Sequence, residues 1–216
     1  MSRGTATRER ILDAAQHLVL EHGFSSTTVD AVLGAADASK GAFFHHFPTK
    51  ADLGRALVDR YAAADAQTLE MLMTAAEAES DDPAQQLIAF IAAFEQAVDD
   101  LSREQPGCLF VSFIYEADLA DPTTDEIVVE SILQWRNRIL AKLEQVAEQR
   151  PSLPPVDLTS LADLGFSIFQ GGFLLARALD EPTALREQVA HLRHYLELLF
   201  DQPVSPEIAR APDRAS

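Results

Sequence analysis

Between its Pro, Gly and Ser-Asp breakers, nearly every segment of this chain repeats its apolar residues every three or four positions, and no sustained run alternates β-branched with polar residues. That period gives each helix one apolar stripe and gives no strand a buried face, so the chain is read as all-α. The first helix starts near Thr5 to Thr7, aligns Ile11, Ala14, Ala15, Leu18 and Val19, and stops at Gly23, a C-cap residue. After a loop at Phe24, Ser25 and Ser26, Thr27 and Thr28 offer caps to a second helix with Val29, Val32, Leu33 and Ala36 on its apolar side. Asp37 and Ala38 then turn the chain into Ser39, the N-cap of a third helix. Helix, turn and helix are complete within twenty residues.

Past Phe47 and Pro48, Thr49 and Asp52 have capping-box spacing, and Leu53, Leu57 and Tyr61 continue down a longer fourth helix. The acidic, Ala-rich stretch breaks at Ser80, Asp81, Asp82 and Pro83, and a fifth helix follows with Leu87, Ile91, Phe94, Val98 and Leu101 on one face. Four more helices are expected, around Leu109 to Ala117, Thr124 to Gln149, Leu158 to Leu179 and Thr183 to Phe200. Residues beyond Pro203 are rich in proline and charge and are expected to be disordered.

With 216 residues, 47% of them hydrophobic, there is enough apolar side chain for one large or two unequal units. No N-terminal apolar region and no run of about 18 uncharged apolar residues is present, so a cytoplasmic protein without a membrane partner is expected. The single cysteine, Cys108, agrees with a reducing compartment. A net charge of −17 argues at first against nucleic acid. Its distribution reverses that argument. Residues 1 to 50 balance Arg3, Arg8, Arg10, Lys40 and Lys50 against Glu9, Asp13, Glu21, Asp30 and Asp37, so all of the excess lies downstream. A neutral headpiece on an acidic body meets DNA in one orientation only.

The run Thr28-Val29-Asp30-Ala31-Val32, then Ser39-Lys40-Gly41-Ala42-Phe43-Phe44-His45-His46-Phe47-Pro48-Thr49-Lys50-Ala51-Asp52-Leu53, resembles the signature of TetR/AcrR-type transcriptional regulators. The likeness covers roughly residues 8 to 55. It implies a DNA-binding helix-turn-helix domain over 1–56, a helical ligand-binding and dimerisation domain over 57–202, and a tail over 203–216. The partners it implies are a palindromic double-stranded operator, a largely apolar small-molecule effector, and a second copy joined through the last two long helices. No cofactor, metal or catalytic role is implied. The DNA-contacting set carried over by position is Thr28, Ser39, Lys40, Gly41, Ala42, Phe44, His45, His46 and Lys50, with Thr28 and Lys50 against phosphates. A recognition helix presents its N-terminal residues to base edges, and Gly41, lacking Cβ, lets the backbone approach DNA closely. Arg3, Arg8 and Arg10 add backbone contacts that position without reading sequence.

Two departures reduce the expected affinity. Phe44 stands where the family usually has a phosphate-bonding Tyr, and Asp37 stands at a turn position usually occupied by Gly. Phe43 and Phe47 are read as headpiece core, while His46 is left open between a phosphate contact and packing. Adjacent His45 and His46 point about 100° apart, and His191 and His194 supply only two ligands, so neither pair makes a metal site.

In the body, Phe94, Phe110, Phe113, Tyr115, Trp135, Phe169 and Phe173 are candidate cavity-lining residues; simple core packing is the alternative for each. Glu95 and Glu116, in otherwise apolar stretches, allow a cationic ligand or a solvated edge. Cys108, beside Gly107 at a helix start, has two readings: a redox sensor whose thiolate the helix dipole favours, or an inert buried thiol. Some electrophile-sensing regulators of the resembled family carry a cysteine in a similar setting. A cysteine hydrolase finds no His/Asp partner spacing. A helical ligand carrier and a transcriptional activator stay as alternatives to a repressor.

Overall fold

The computed structural model describes residues 3–104, 107–116, 122–151 and 153–201, and the side chains of all of these except 3 and 99–104. The expected tail beyond 203 and the Arg3 side chain lie outside the described residues. The described chain is helical throughout, with no strand: α1 (Arg3–His22), α2 (Val29–Ala36), α3 (Lys40–His46), α4 (Lys50–Glu79), α5 (Pro83–Glu104), α6 (Leu109–Ile114), α7 (Pro122–Gln149), α8 (Leu158–Leu179) and α9 (Ala184–Phe200).

The local signals explain most of these ends. Gly23, with φ +85°, closes α1 through its N–H to the Val19 carbonyl. Thr28 and Ser39 accept from the N–H groups of Ala31 and Ala42, and Thr49 and Asp52 form a reciprocal capping box. Asp37 and Asp180 both take the left-handed conformation, φ 46° and 55°, at helix ends where glycine is more usual. Pro83 opens α5 with no N–H to satisfy, while Asp82 accepts from the Ala84 N–H. Helix α9 starts at Ala184, and the preceding Thr183 is itself near-helical and its side chain makes no capping bond. Helix α6 stops at Ile114, short of the expected Ala117; the Tyr115 N–H bonds the Val111 carbonyl and the Glu116 N–H that of Phe113, tightening the last turn.

Helices α1 to α3 enclose Ile11, Leu12, Ala15, Val32, Phe43 and Phe47, all at most 2% exposed. Phe43 and Phe47 are therefore core, as the periodicity indicated. The first turns of α4 belong to this cluster through Leu53 and Leu57, and the same helix runs on without a break into the body. There α4 packs on α5 and α7, α5 on α9, and α8 on α9. Polar fastenings cross the helices: Arg150 forks onto both oxygens of Asp82 at 2.8 and 2.7 Å, and the Lys142 ammonium, 3% exposed, reaches Glu77 at 2.8 Å and Gln86 at 2.6 Å.

Helix α8 is long enough and apolar enough to cross a membrane by composition, with mean hydropathy 1.3 over its best window. It nevertheless carries Asp163, ion-paired to Arg136 of α7 at 2.6 Å. Its contact with α9 depends on Gly172, where a Cβ would stand 2.8 Å from the Leu185 Cα and 2.6 Å from its Cδ1. Gly172→Ala is expected to cost about 1–3 kcal/mol through overpacking against backbone, seen as a drop of several degrees in Tm. Gly165→Ala, whose Cβ would meet only Leu192 Cδ2 at 3.8 Å, is expected to be neutral or stabilising.

Candidate functional site

Two surfaces gather the chemistry: the outer face of the headpiece and a cavity in the body. On the headpiece, Thr28, Ser39, Lys40, Gly41, Phe44 and His45 are exposed, and Ala42 and His46 are partly so. Nothing lies within 4 Å of a Cβ built on Gly41. Phe44, 45% exposed, stands edge-on to buried Phe43 at 5.2 Å. The rings of His45 and His46 lie 5.0 Å apart, and His46 also stands beside Phe47 at 6.3 Å.

Lys50 is oriented differently from the other candidates. Its Nζ donates to the Ser25 carbonyl at 3.1 Å and sits 4.6 Å from the centre of the Phe24 ring. Partial burial lowers its pKa, against the opposing effect of Glu116. The loop it holds is gripped from the body as well. The Glu116 carboxylate accepts from the Ser25 N–H at 2.6 Å, and Phe113 packs on Phe24 with ring centres 4.8 Å apart. Arg177, near the end of α8, donates to the Leu20 and Glu21 carbonyls at the end of α1, and Arg60 of α4 reaches Glu9, Asp13 and Gln16 along α1.

The cavity, about 680 Å³, lies between α4, α5, α7, α8 and α9, with Cys108 and Phe110 of α6 at its edge. A volume of this order suits a drug-sized molecule. Phe94, Phe110, Trp135 and Phe169 are on its wall, together with Phe90 and Tyr61, which the sequence did not single out. Neighbouring rings form a continuous series: Phe90 to Trp135 6.1 Å, Trp135 to Phe94 5.5 Å, Phe94 to Phe169 5.4 Å.

Three candidates are not on this wall. Phe113 is 1% exposed and faces the headpiece. Tyr115 is 85% exposed, because α6 ends before its ring reaches the bundle. Phe173 is buried behind Phe169, at 4.9 Å. The two acids in apolar stretches are also elsewhere: Glu95 is held by Arg193 at 3.1 Å, and Glu116 serves the headpiece loop.

Two acids line the cavity: Asp163, paired with Arg136, and Asp65, one turn beyond Tyr61 on α4, which accepts from the Trp135 indole N–H at 2.5 Å. Burial raises the Asp65 pKa from 3.8 to about 6, with the indole bond opposing. Nothing in the sequence marked it, since an Asp in an Ala-rich helix reads as solvated surface. Tyr61 stands between Asp65 and Cys108, and its hydroxyl pKa is raised well above the usual range by burial and by both neighbours. Of the two readings of Cys108, its surroundings are those of a buried thiol. It is 6% exposed, and burial raises its pKa despite hydrogen bonding from the Val111 N–H, the Gln170 amide, the Phe110 N–H and the Tyr61 hydroxyl. Gln170 Nε2, buried beside this thiol, has no oxygen acceptor among the described residues.

Comparison with known proteins bears on both halves. Residues 11–57 match the family model for bacterial regulatory proteins of the tetR family, and residues 83–192 match the tetracyclin repressor-like C-terminal domain. The chain is 29% identical over 121 residues to the HTH-type transcriptional repressor NemR of Escherichia coli, covering 55% of this chain and 57% of that protein. It therefore spans little more than half of that relative's length. To the HTH-type transcriptional repressor DhaR of a Mycobacterium species it is 25% identical over 173 residues, covering 79% and 82%. A TetR transcriptional regulator from Chloroflexus aurantiacus superposes with TM-score 0.70 at 28% identity, covering 91% of this chain and 97% of that one. Reduced Escherichia coli NemR superposes with TM-score 0.68 at 22% identity, covering 87% and 95%.

Asp65 supplies a test of the cavity's electrostatics. Between pH 3.8 and 6 the folded state holds a proton that the unfolded state has released, so stability falls as pH rises through that window. Asp65→Asn removes the penalty, which is at most about 3 kcal/mol from a shift of this size. Its Tm is expected to exceed wild type at pH 7.5 and to converge with it near pH 4; equal Tm at both values would show that the carboxylate is relaxed by solvent.

Proposed function

This chain belongs to the tetR family of bacterial regulatory proteins, and from that premise we propose that it is a ligand-responsive, DNA-binding transcriptional repressor without catalytic activity. Residues 1–56 serve as the reading head and 57–202 as the sensing and dimerising body, with the boundary falling inside α4. The observation that carries the proposal is the exposed face of α2 and α3 on a headpiece whose loop is held by Phe113 and Glu116, three and six residues after Phe110 of the body cavity's wall. Thr28, Ser39, Lys40, Gly41, Ala42, Phe44, His45 and His46 form the DNA surface. Lys50 joins it by sharing or leaving the Ser25 carbonyl.

Release follows from shared elements. Tyr61 and Asp65 belong to the same helix as the headpiece residues Leu53 and Leu57, and Phe110 of the cavity wall precedes Phe113 and Glu116 of the loop contact by three and six residues. An effector among Phe94, Phe110, Trp135 and Phe169 that prefers the non-binding conformer about a hundredfold opposes operator binding by roughly 2.7 kcal/mol. A reactive electrophile at Cys108 is a second route. It requires an opening motion, because the thiol is buried and mostly protonated at neutral pH.

A second copy binds through α8 and α9. Leu174, Leu179 and Leu198 are 58–68% exposed, and Leu175 and Tyr195 extend the same apolar surface. Two-fold pairing matches a palindromic operator with half-sites about 34 Å, one DNA turn, apart or a multiple of that. Sedimentation of wild type should give a dimer at micromolar concentration, and Leu174→Glu with Leu198→Glu a folded monomer; a monomeric wild type would remove the mechanism.

Fluorescence-anisotropy titration with DNA from the chain's own promoter region, over a salt series, tests the head. Lys40→Ala is cleaner than Lys50→Ala, because Lys50 also holds the Ser25 loop. If Lys40 contacts a phosphate, its loss should weaken binding about 5- to 30-fold and reduce the salt slope by about one unit. No binding at low salt would favour a helical ligand carrier instead.

A further inference from the structure

The wall of the cavity is apolar and aromatic except for a short polar seam, and the charges on that wall are unequally matched. Arg60 is engaged by Glu9, Asp13 and Gln16 of α1, at 3.3, 2.7 and 2.8 Å. Arg136 is engaged by both oxygens of Asp163, at 2.6 and 3.0 Å. Asp65 has the Trp135 indole N–H on one oxygen and no ion pair among the described residues. A neutral donor stabilises a buried carboxylate only in part, and a neutral ligand filling the cavity would strip its remaining water and leave the charge unmatched. Trp135, which holds Asp65, continues in series through Phe94, Phe90 and Phe169 along the cavity wall, and aromatic rings attract an organic cation over their electron-rich faces. At the other end of the seam, past Tyr61, the buried Gln170 amide nitrogen neighbours the Cys108 thiol and has no oxygen acceptor among the described residues.

We infer that the cavity selects organic cations, a protonated or quaternary amine on an aromatic-sized apolar body, with the positive charge set between the Asp65 carboxylate and the rings of Trp135 and Phe94. Gln170 donates to an oxygen acceptor on the same molecule where one is present. The inference rests on the proposed effector role of this cavity and assigns the chemical class of its occupant. The raised carboxyl pKa agrees with an acid that lacks its counter-charge until a ligand arrives.

Trp135 is the chain's single tryptophan, so emission excited at 295 nm reports from the site itself. The probes are a matched pair, 4-tert-butylbenzylamine, charged at pH 7.5, and 4-tert-butylbenzyl alcohol, titrated into the intact 216-residue chain. The amine is expected to bind at least tenfold more tightly than the alcohol in wild type. Asp65→Asn, checked by circular dichroism for an unchanged fold, is expected to bring the two affinities within about twofold of each other by weakening the amine alone. Equal affinities in wild type would overturn the cation class while leaving the cavity as a ligand site. An undiminished amine preference in Asp65→Asn would overturn the role of Asp65. No saturable quench with either probe would overturn the inference together with the effector reading. Selective amine binding that leaves operator affinity unchanged would instead uphold the cation site and count against the effector role.

Discussion

Helix α4 is a single 30-residue rod, about 45 Å long, and the rest of the molecule is arranged around its continuity. Its first turns are buried in the headpiece through Leu53 and Leu57, and its middle turns place Tyr61 and Asp65 on the cavity wall. A helix without proline or a bulge curves only gently, so a displacement of one end is carried along its length. The helix-capping box at Thr49 and Asp52 therefore fixes more than a helix start: it sets the register from which every later residue of the rod is presented.

The headpiece loop at Gly23 to Ser25 is the complementary constraint. It is held by Lys50 from the headpiece side and by Phe113 and Glu116 from the body. Gly54 lets Phe24 fit there, because a Cβ would come within 2.7 Å of its ring. The short helix α6 thus has one end at the cavity and the other on the loop. Residues only six positions apart in sequence, Phe110 and Glu116, touch the cavity and the headpiece loop.

Local chemistry was legible in the sequence, and tertiary choice was less so. Caps at Thr28, Ser39 and Thr49, the turn at Asp37 and the core roles of Phe43 and Phe47 follow from spacing and side-chain type, and the structure has them as read. Periodicity also marked the aromatic segments of the body, but it left open which ring of a segment meets the cavity. Phe110 and Phe113 are one helical turn apart, yet one lines the cavity and the other faces Phe24, because α6 is clasped on two sides. Asp65 carried no local signal at all: a carboxylate in an Ala-rich helix looks solvated until a distant Trp135, seventy positions on, is folded against it. The same holds for Lys142, which becomes a buried cation only once α4 and α5 supply Glu77 and Gln86.

Arg177 adds a consequence for the order in which the chain matures. The carbonyls of Leu20 and Glu21 that end α1 are bonded by a guanidinium 157 and 156 positions later. Headpiece helices built on local caps form early, since their contacts are short-range, but a contact of this span closes late. During synthesis the N-terminal segment leaves the ribosome long before Arg177 exists. A nascent chain accordingly carries a headpiece already tied to the body through α4, Phe113 and Glu116, and completion of α8 adds the last of these fastenings.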